Sequence, residues 1–207
     1  MVAQVLRVRL GNHGNHCYCN ALLKCLWVAA ARSPCPPDLL IHHQLFRLMS
    51  GFFRASGIPH VWGNPFWRTL LRGWQAPDAQ HDVAEFLQFM AQQCQGLADM
   101  AGASWVARME VPERLVQSDS GFSCPLGLLP PSCDCVSVAQ LVQSWHLQDH
   151  AHALLYAPPV LVFQAGRFSY DGTLTGRTNC SIAFSRIRNF SFLSSPEVCQ
   201  CDKSDIA

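Results

Sequence analysis

The sequence predicts an α+β fold, and three observations carry that expectation. Apolar residues recur at helical spacing through the N-terminal half and again over 137–155, strand-like apolar runs gather behind Pro158-Pro159, and 207 residues are ample to bury a core. A formal net charge of +1, with 14% charged residues and no lysine or arginine run, lacks the footprint of a nucleic-acid binder, which is set aside as a partner. The longest apolar run, Leu22 to Ala31, contains Lys24 and is too short to span a bilayer, and Met1 to Leu10 has no apolar leader core. A membrane role is therefore not expected either. Eleven cysteines, an odd number without a signal peptide, point to a reducing setting, the cytoplasm or nucleus. For Cys25, Cys35, Cys94 and Cys180 a buried small side chain is the simplest reading.

Each element follows in order. Gly11 to Cys17 is polar and punctuated by glycine, which reads as a tight loop. A helix is expected from Tyr18, with Leu22, Cys25, Leu26 and Ala29 on one face and Arg32-Ser33-Pro34 as its stop. A second helix is expected over Leu39 to Phe53, followed by a loop whose Trp62, Trp67 and Trp74 read as core. Pro77-Asp78 announces a third helix, with Val83, Phe86, Leu87, Met90, Cys94 and Leu97 on one stripe and Asp82 and Glu85 on its flank. Ala103 to Asp134 reads as loop and short strand, and Ser137 to Leu155 as a further helix. Val160 to Ala165 reads as a buried strand, Tyr170-Asp171-Gly172 as a turn, and Ser181 to Ile187 as a partner strand.

The chemistry concentrates at Cys17. A thiol at the first turn of a helix feels the positive end of the dipole and nearby N–H groups, which favour thiolate. Asn12, five residues upstream on the glycine-bearing loop, can donate to the oxygen of a tetrahedral intermediate, with the Cys17 N–H as second donor. The plain alternative is that Cys17 merely starts a helix. A zinc site is a weaker candidate: Cys124, Cys133 and Cys135 lie upstream of His146 and His150, which are four apart on the expected helix. The cysteine spacing is not that of a common zinc knuckle, and an exposed polar helix face explains the histidines, so neither a metal nor any other cofactor is expected.

The segment Asn12-His13-Gly14-Asn15-His16-Cys17-Tyr18-Cys19-Asn20-Ala21 resembles the cysteine box of ubiquitin-specific proteases, Asn-x-Gly-Asn-Thr-Cys-Tyr-Met-Asn-Ser, at six positions. His16, Cys19 and Ala21 depart from the pattern, and none of them removes the nucleophile or its asparagine. Gln80-His81-Asp82-Val83-Ala84-Glu85-Phe86-Leu87 is similar to the family's Gln-Gln-Asp-Ala-His-Glu-Phe-Leu helix, and Pro158 to Phe168 to its Pro-x-Val-Leu-x-Leu-x-Leu-x-Arg-Phe strand. Order and spacing agree across all three blocks.

The resemblance implies a papain-like α+β domain over 1–193, with a helical thumb, a partial antiparallel palm and the ubiquitin tail between them, followed by a polar, disordered tail over 194–207. It implies Cys17 as nucleophile, Asn12 as oxyanion donor, and Asp82, Glu85 and Gln80 as contacts to the tail of ubiquitin or of ubiquitinated proteins. For Asp82 the alternative is a solvated acidic flank. The fingers subdomain is expected to be reduced, since the family's paired Cys-x-x-Cys ribbon is missing. In the family a histidine beyond the Arg-Phe strand is the general base. No histidine follows Phe168, so the resemblance implies a catalytic domain cut short before that segment. Two functions follow: a thiol-dependent deubiquitinase, or a catalytically impaired ubiquitin-binding or scaffold protein.

Overall fold

The computed structural model describes residues 8–12, 14–32, 44–111, 114–128, 134–147, 151–156, 158–166, 168–170, 175–177 and 180–183. The chain divides into two compact units, 1–102 with 158–161, and 103–157 with 162–207.

The first unit is helical. Helix α1, Cys17–Arg32, buries Tyr18, Cys19, Leu22, Leu23 and Leu26, a stripe displaced from the expected one so that Cys25 is exposed. Helix α2, Gln44–Arg54, buries Leu45, Phe46, Met49, Phe52 and Phe53, the spacing of a single apolar face. It packs on α1 and on α5 (Gln95–Ala101). Between them a 3₁₀ turn, Val61–Gly63, and α3, Pro65–Leu70, place Trp67 at full burial, edge-on to Phe52 at 6.2 Å. Trp67 is the core residue expected, whereas Trp62 and Trp74 are only half-buried.

Helix α4, Val83–Gln93, turns Ala84, Phe86, Leu87, Met90 and Ala91 inward and packs against α1. Two expectations are corrected here. Pro77-Asp78 does not start this helix. Its N-cap is Asp82, whose side chain accepts from the N–H of Ala84 and of Glu85, and Val83 is exposed rather than part of the stripe. Nor does one helix run through to Leu97. The backbone is extended at Cys94 (φ −126°, ψ 99°), which closes α4 and opens α5, although Cys94 and Leu97 are both buried.

The second unit is built on strands. β1 (Ala103–Val111) lies between β2 (Arg114–Ser123) and β5 (Ala151–Tyr156) in an antiparallel sheet. The register runs from Ala103 opposite Ser123 to Val111 opposite Arg114, with an irregularity between Ala107 and Arg108. Two long strands thus replace the expected loop and short strand. The irregularity breaks the alternation that announces a half-buried strand: Val106, Ala107 and Arg108 are buried in succession.

The helix expected over Ser137 to Leu155 is shorter. Helix α6, Val138–His146, begins at a capping box in which Ser137 and Gln140 satisfy each other's backbone N–H. Residues 151–156 are instead strand β5, where pairing with β1 overrides the helix-forming character of Ala-His-Ala-Leu-Leu.

Three short strand pairs remain among the described residues. β3 (Leu126–Leu128) runs parallel to β6 (Phe163–Ala165), so the strand expected from Val160 begins at Phe163. β4 (Cys135–Ser137) runs parallel to β9 (Ser181–Ala183), so the run from Ser181 pairs with β4 and not with the strand after Pro159. β7 (Phe168–Tyr170) and β8 (Thr175–Arg177) are antiparallel. Residues 171–172 of the expected turn, the expected helix start at 39–43, Cys35 and the tail over 194–207 lie outside the described residues. Among the described residues no helix is long and apolar enough to cross a membrane.

Candidate active site

The loop ahead of α1 is fastened at both ends. At its start the Gly11 N–H donates to the Pro59 carbonyl at 2.8 Å, and the Asn20 side-chain amide donates to the Gly11 carbonyl at 3.1 Å. Asn20 Oδ1 is buried without a hydrogen-bond partner among the described residues. A Cβ on Gly11 would fall 2.0 Å from His60 Nδ1, so the approach is open only to glycine. Asn12 follows immediately and is exposed.

At its end the loop meets the turn before α4. Gly14 has φ +66°, the left-handed region in which a side chain is strained. The Asp78 carbonyl accepts from Asn15 twice, from the backbone N–H at 3.3 Å and the side-chain amide at 3.2 Å. His16 Nε2 lies 2.7 Å from Asp78 Oδ1, and its buried ring is tilted against Trp62 at 5.7 Å.

Cys17 is the first residue of α1 and is exposed, its thiol directed at the Asn15 carbonyl 3.9 Å away. Tyr18 behind it faces inward, donating its hydroxyl to the Pro77 carbonyl at 3.0 Å and accepting from Trp74 Nε1 at 3.0 Å. Burial pushes the Tyr18 phenol up to about 12, against the lowering effect of the Trp74 bond. Cys19 is fully buried, and burial raises its thiol far above the usual range. Of the two thiols on this turn, only Cys17 is presented to solvent.

The first two sequence blocks therefore meet through Pro77 and Asp78. Gln80 is exposed, and His81 bonds the Ala76 carbonyl at 2.8 Å while packing edge-on to Tyr18. Asp82 is exposed but already committed in part, its Oδ1 accepting from Ala84 N at 2.6 Å and Glu85 N at 3.2 Å. Glu85 is exposed in the first turn of α4. The third block straddles the division of the chain: the Val160 N–H donates to the Met100 carbonyl in the first unit, and Phe163 onward belongs to the second.

The zinc candidates do not assemble among the described residues, which hold no group of three or more His, Cys, Asp or Glu able to bind a metal. Cys124 is buried, its thiol raised to about 11 by that burial, and Cys135 is exposed. His146 Nδ1 is bonded to the His152 carbonyl. Cys133 and His150 lie outside the described residues.

The sequence pattern of the family described as ubiquitin carboxyl-terminal hydrolase matches residues 8–205, nearly the whole chain. The chain belongs to that family. The ubiquitin carboxyl-terminal hydrolase assignment agrees with the deubiquitinase class that the three motif blocks resemble. A solved structure described as the Ubp8-Sgf11-Sgf73-Sus1 SAGA DUB module superposes with a TM-score of 0.61 at 18% identity, over 91% of this chain and 52% of that one. The fold is thus the papain-like α+β arrangement of the family, with helices α1 to α5 in one unit and the antiparallel sheet with α6 in the other, and the chain spans about half the length of the solved relative. No curated protein matches the sequence.

Sequence reasoning passed over Asp78, Pro77, Tyr18 and Asn20 as parts of this site. Asn20 and Tyr18 were visible within the cysteine box, but their task is to hold the loop rather than to react. Pro77-Asp78 reads as a helix start in the sequence but lies in the turn before α4.

Proposed function

We propose that this chain acts as a thiol-dependent isopeptidase of the ubiquitin-specific class, cleaving after the C-terminal glycine of ubiquitin. The observation that carries the reading is an exposed Cys17 at the first residue of α1, following a loop that bears Asn12 and is fastened at both ends. Cys17 Sγ attacks the glycine carbonyl and Asn12 donates to the oxyanion. As the C–N bond breaks, the nitrogen takes up a proton from solvent that balances the one lost by the Cys17 thiol, releasing the lysine amine and leaving a thioester that water hydrolyses to the free carboxylate and thiol. Asp82, with Glu85 and Gln80 beside it, supplies the carboxylates and amide that meet the basic ubiquitin tail. Partners are accordingly ubiquitin or ubiquitinated proteins, in the reducing cytoplasm or nucleus that the eleven thiols favour.

A second reading has its own observation. Within these 207 residues no histidine follows Phe168, and residues 1–207 by themselves do not supply the family's imidazole, whose help is typically worth about 10²–10⁴ in rate. A chain that binds ubiquitin and turns it over slowly or not at all fits that fact. The deciding experiment is labelling of the chain with a ubiquitin propargylamide or vinyl-sulfone probe, comparing wild type with Cys17→Ala. An adduct that Cys17→Ala abolishes supports the isopeptidase. No adduct on a folded chain that still binds ubiquitin by calorimetry leaves the binder.

A further inference from the structure

Neither reading uses His16 or Asp78, although their side chains bond each other across the fold at 2.7 Å. The His16 side chain is 8% exposed and the Asp78 side chain 81%, so a buried ring reaches out to a carboxylate at the surface. Burial of an imidazole nitrogen is costly unless it is bonded, and here the bond, at 2.7 Å, is made to a residue whose carbonyl also takes both donors of Asn15. One residue of the turn before α4 thus grips residues 15 and 16, the two immediately ahead of the nucleophile. The His16 carbonyl in turn accepts from the Asn20 N–H at 3.0 Å, opening the first turn of α1. The Asn20 side chain holds Gly11 at the other end of the loop.

We propose that His16 and Asp78 are a positioning pair for the nucleophile: their bond sets the loop that presents Cys17, and the pair works through hydrogen bonding rather than through the bulk of the ring. The inference rests on the isopeptidase reading for what Cys17 does, but the pair itself is testable apart from it. His16→Gln keeps a side-chain N–H at a similar reach toward Asp78. His16→Phe keeps a ring against Trp62 and loses the donor, and Asp78→Ala removes the acceptor.

The test uses the full chain and two readouts, the rate of ubiquitin-propargylamide labelling at Cys17 and amide hydrogen exchange at Asn15 and Asn20. Resistance of Cys19 and Cys94 to iodoacetamide confirms that each variant is folded, since both thiols are buried. His16→Phe and Asp78→Ala are expected to slow labelling about tenfold, the change that corresponds to losing one part-buried hydrogen bond from a buried ring. Both should speed exchange at Asn15 and Asn20, and combining them should add little, because either alone breaks the same bond. His16→Gln should restore labelling and amide protection toward wild type. Equal losses in the Gln and Phe variants, or unchanged protection in His16→Phe, would overturn the pair. A wild-type chain that is not labelled, with exchange still following the Gln and Phe pattern, would sink the isopeptidase reading and leave the pair standing.

Discussion

Gly11→Ala probes the loop from its other end. The added methyl would lie 2.0 Å from His60 Nδ1 and 2.2 Å from Cε1. Comfortable non-bonded contacts are about 3.5–4.0 Å, so roughly 1.5 Å has to be opened. The main chain cannot retreat freely, because the Gly11 N–H is bonded to Pro59, the neighbour of His60, and the Gly11 carbonyl to Asn20. Overpacking of this kind costs about 1–3 kcal/mol, and the lower chain entropy of alanine in the unfolded state offsets about 0.4–1 kcal/mol. With a 2.0 Å approach the cost lies at the upper end, about 2–3 kcal/mol, so the net loss is roughly 1–2.6 kcal/mol, a fall in Tm of roughly 2–10 °C for a chain of this size. Scanning calorimetry reads the fall, and labelling by the ubiquitin probe should slow as Asn12 is displaced. Adding His60→Ala removes the obstructing ring and should return most of both losses. A Gly11→Ala chain as stable and as reactive as wild type, or a loss that His60→Ala does not relieve, would refute the reasoning.

Three further outcomes are expected. Asp82→Ala removes the cap of α4 and should cost about 0.5–2 kcal/mol, whereas Asp82→Asn keeps a capping oxygen and loses only the charge. If Asp82 also meets the ubiquitin tail, Asp82→Asn should weaken ubiquitin binding by calorimetry with little change in Tm, and unchanged binding would leave it a cap alone. Gly121→Ala would set a methyl 2.8 Å from Trp105 Cζ2, its cross-strand partner, so a loss of about 1–3 kcal/mol with a shifted Trp105 emission is predicted, read by fluorescence-detected unfolding. Burial raises the thiols of Cys94 and Cys124 from 9.0 to about 11. Below pH 9 both states hold these protons and stability is indifferent to them. Between pH 9 and 11 the unfolded chain releases them first, so urea midpoints should fall as pH rises, and less in Cys94→Ala than in wild type.

Spacing alone reveals the Phe86, Leu87 and Met90 stripe and the helix after Cys17, while Trp67 reads as core by residue type, as Trp62 and Trp74 do although they are only half-buried. Strand signals failed wherever pairing, rather than pattern, decides the structure. β5 is written in helix-forming residues, β1 hides its alternation behind an irregularity at Ala107, and the parallel partners of β6 and β9 are set by tertiary contacts that no local window contains. Cys25 was expected inside and lies outside, because the buried stripe of α1 turns through Cys19 and Leu23 instead. Within the site, Cys17 and Asn12 could be picked out because their residue types carry chemistry. Asp78 could not, since its work depends on where the fold brings a turn sixty-odd positions later, a separation of 62 residues from His16.

The two parallel pairs impose an order of events on the chain as it is made. β3 at Leu126–Leu128 and β4 at Cys135–Ser137 wait for partners that begin at Phe163 and Ser181. At synthesis rates of about 5–20 residues per second, each strand spends roughly 2–9 s with its partner unwritten. For that interval Leu126, Leu128 and Val136, all buried in the finished protein, face the ribosome exit and the chaperones around it. The second unit therefore completes late in its own synthesis, and slowing translation between β4 and β9 would lengthen the period in which these unpaired edges can find the wrong strand.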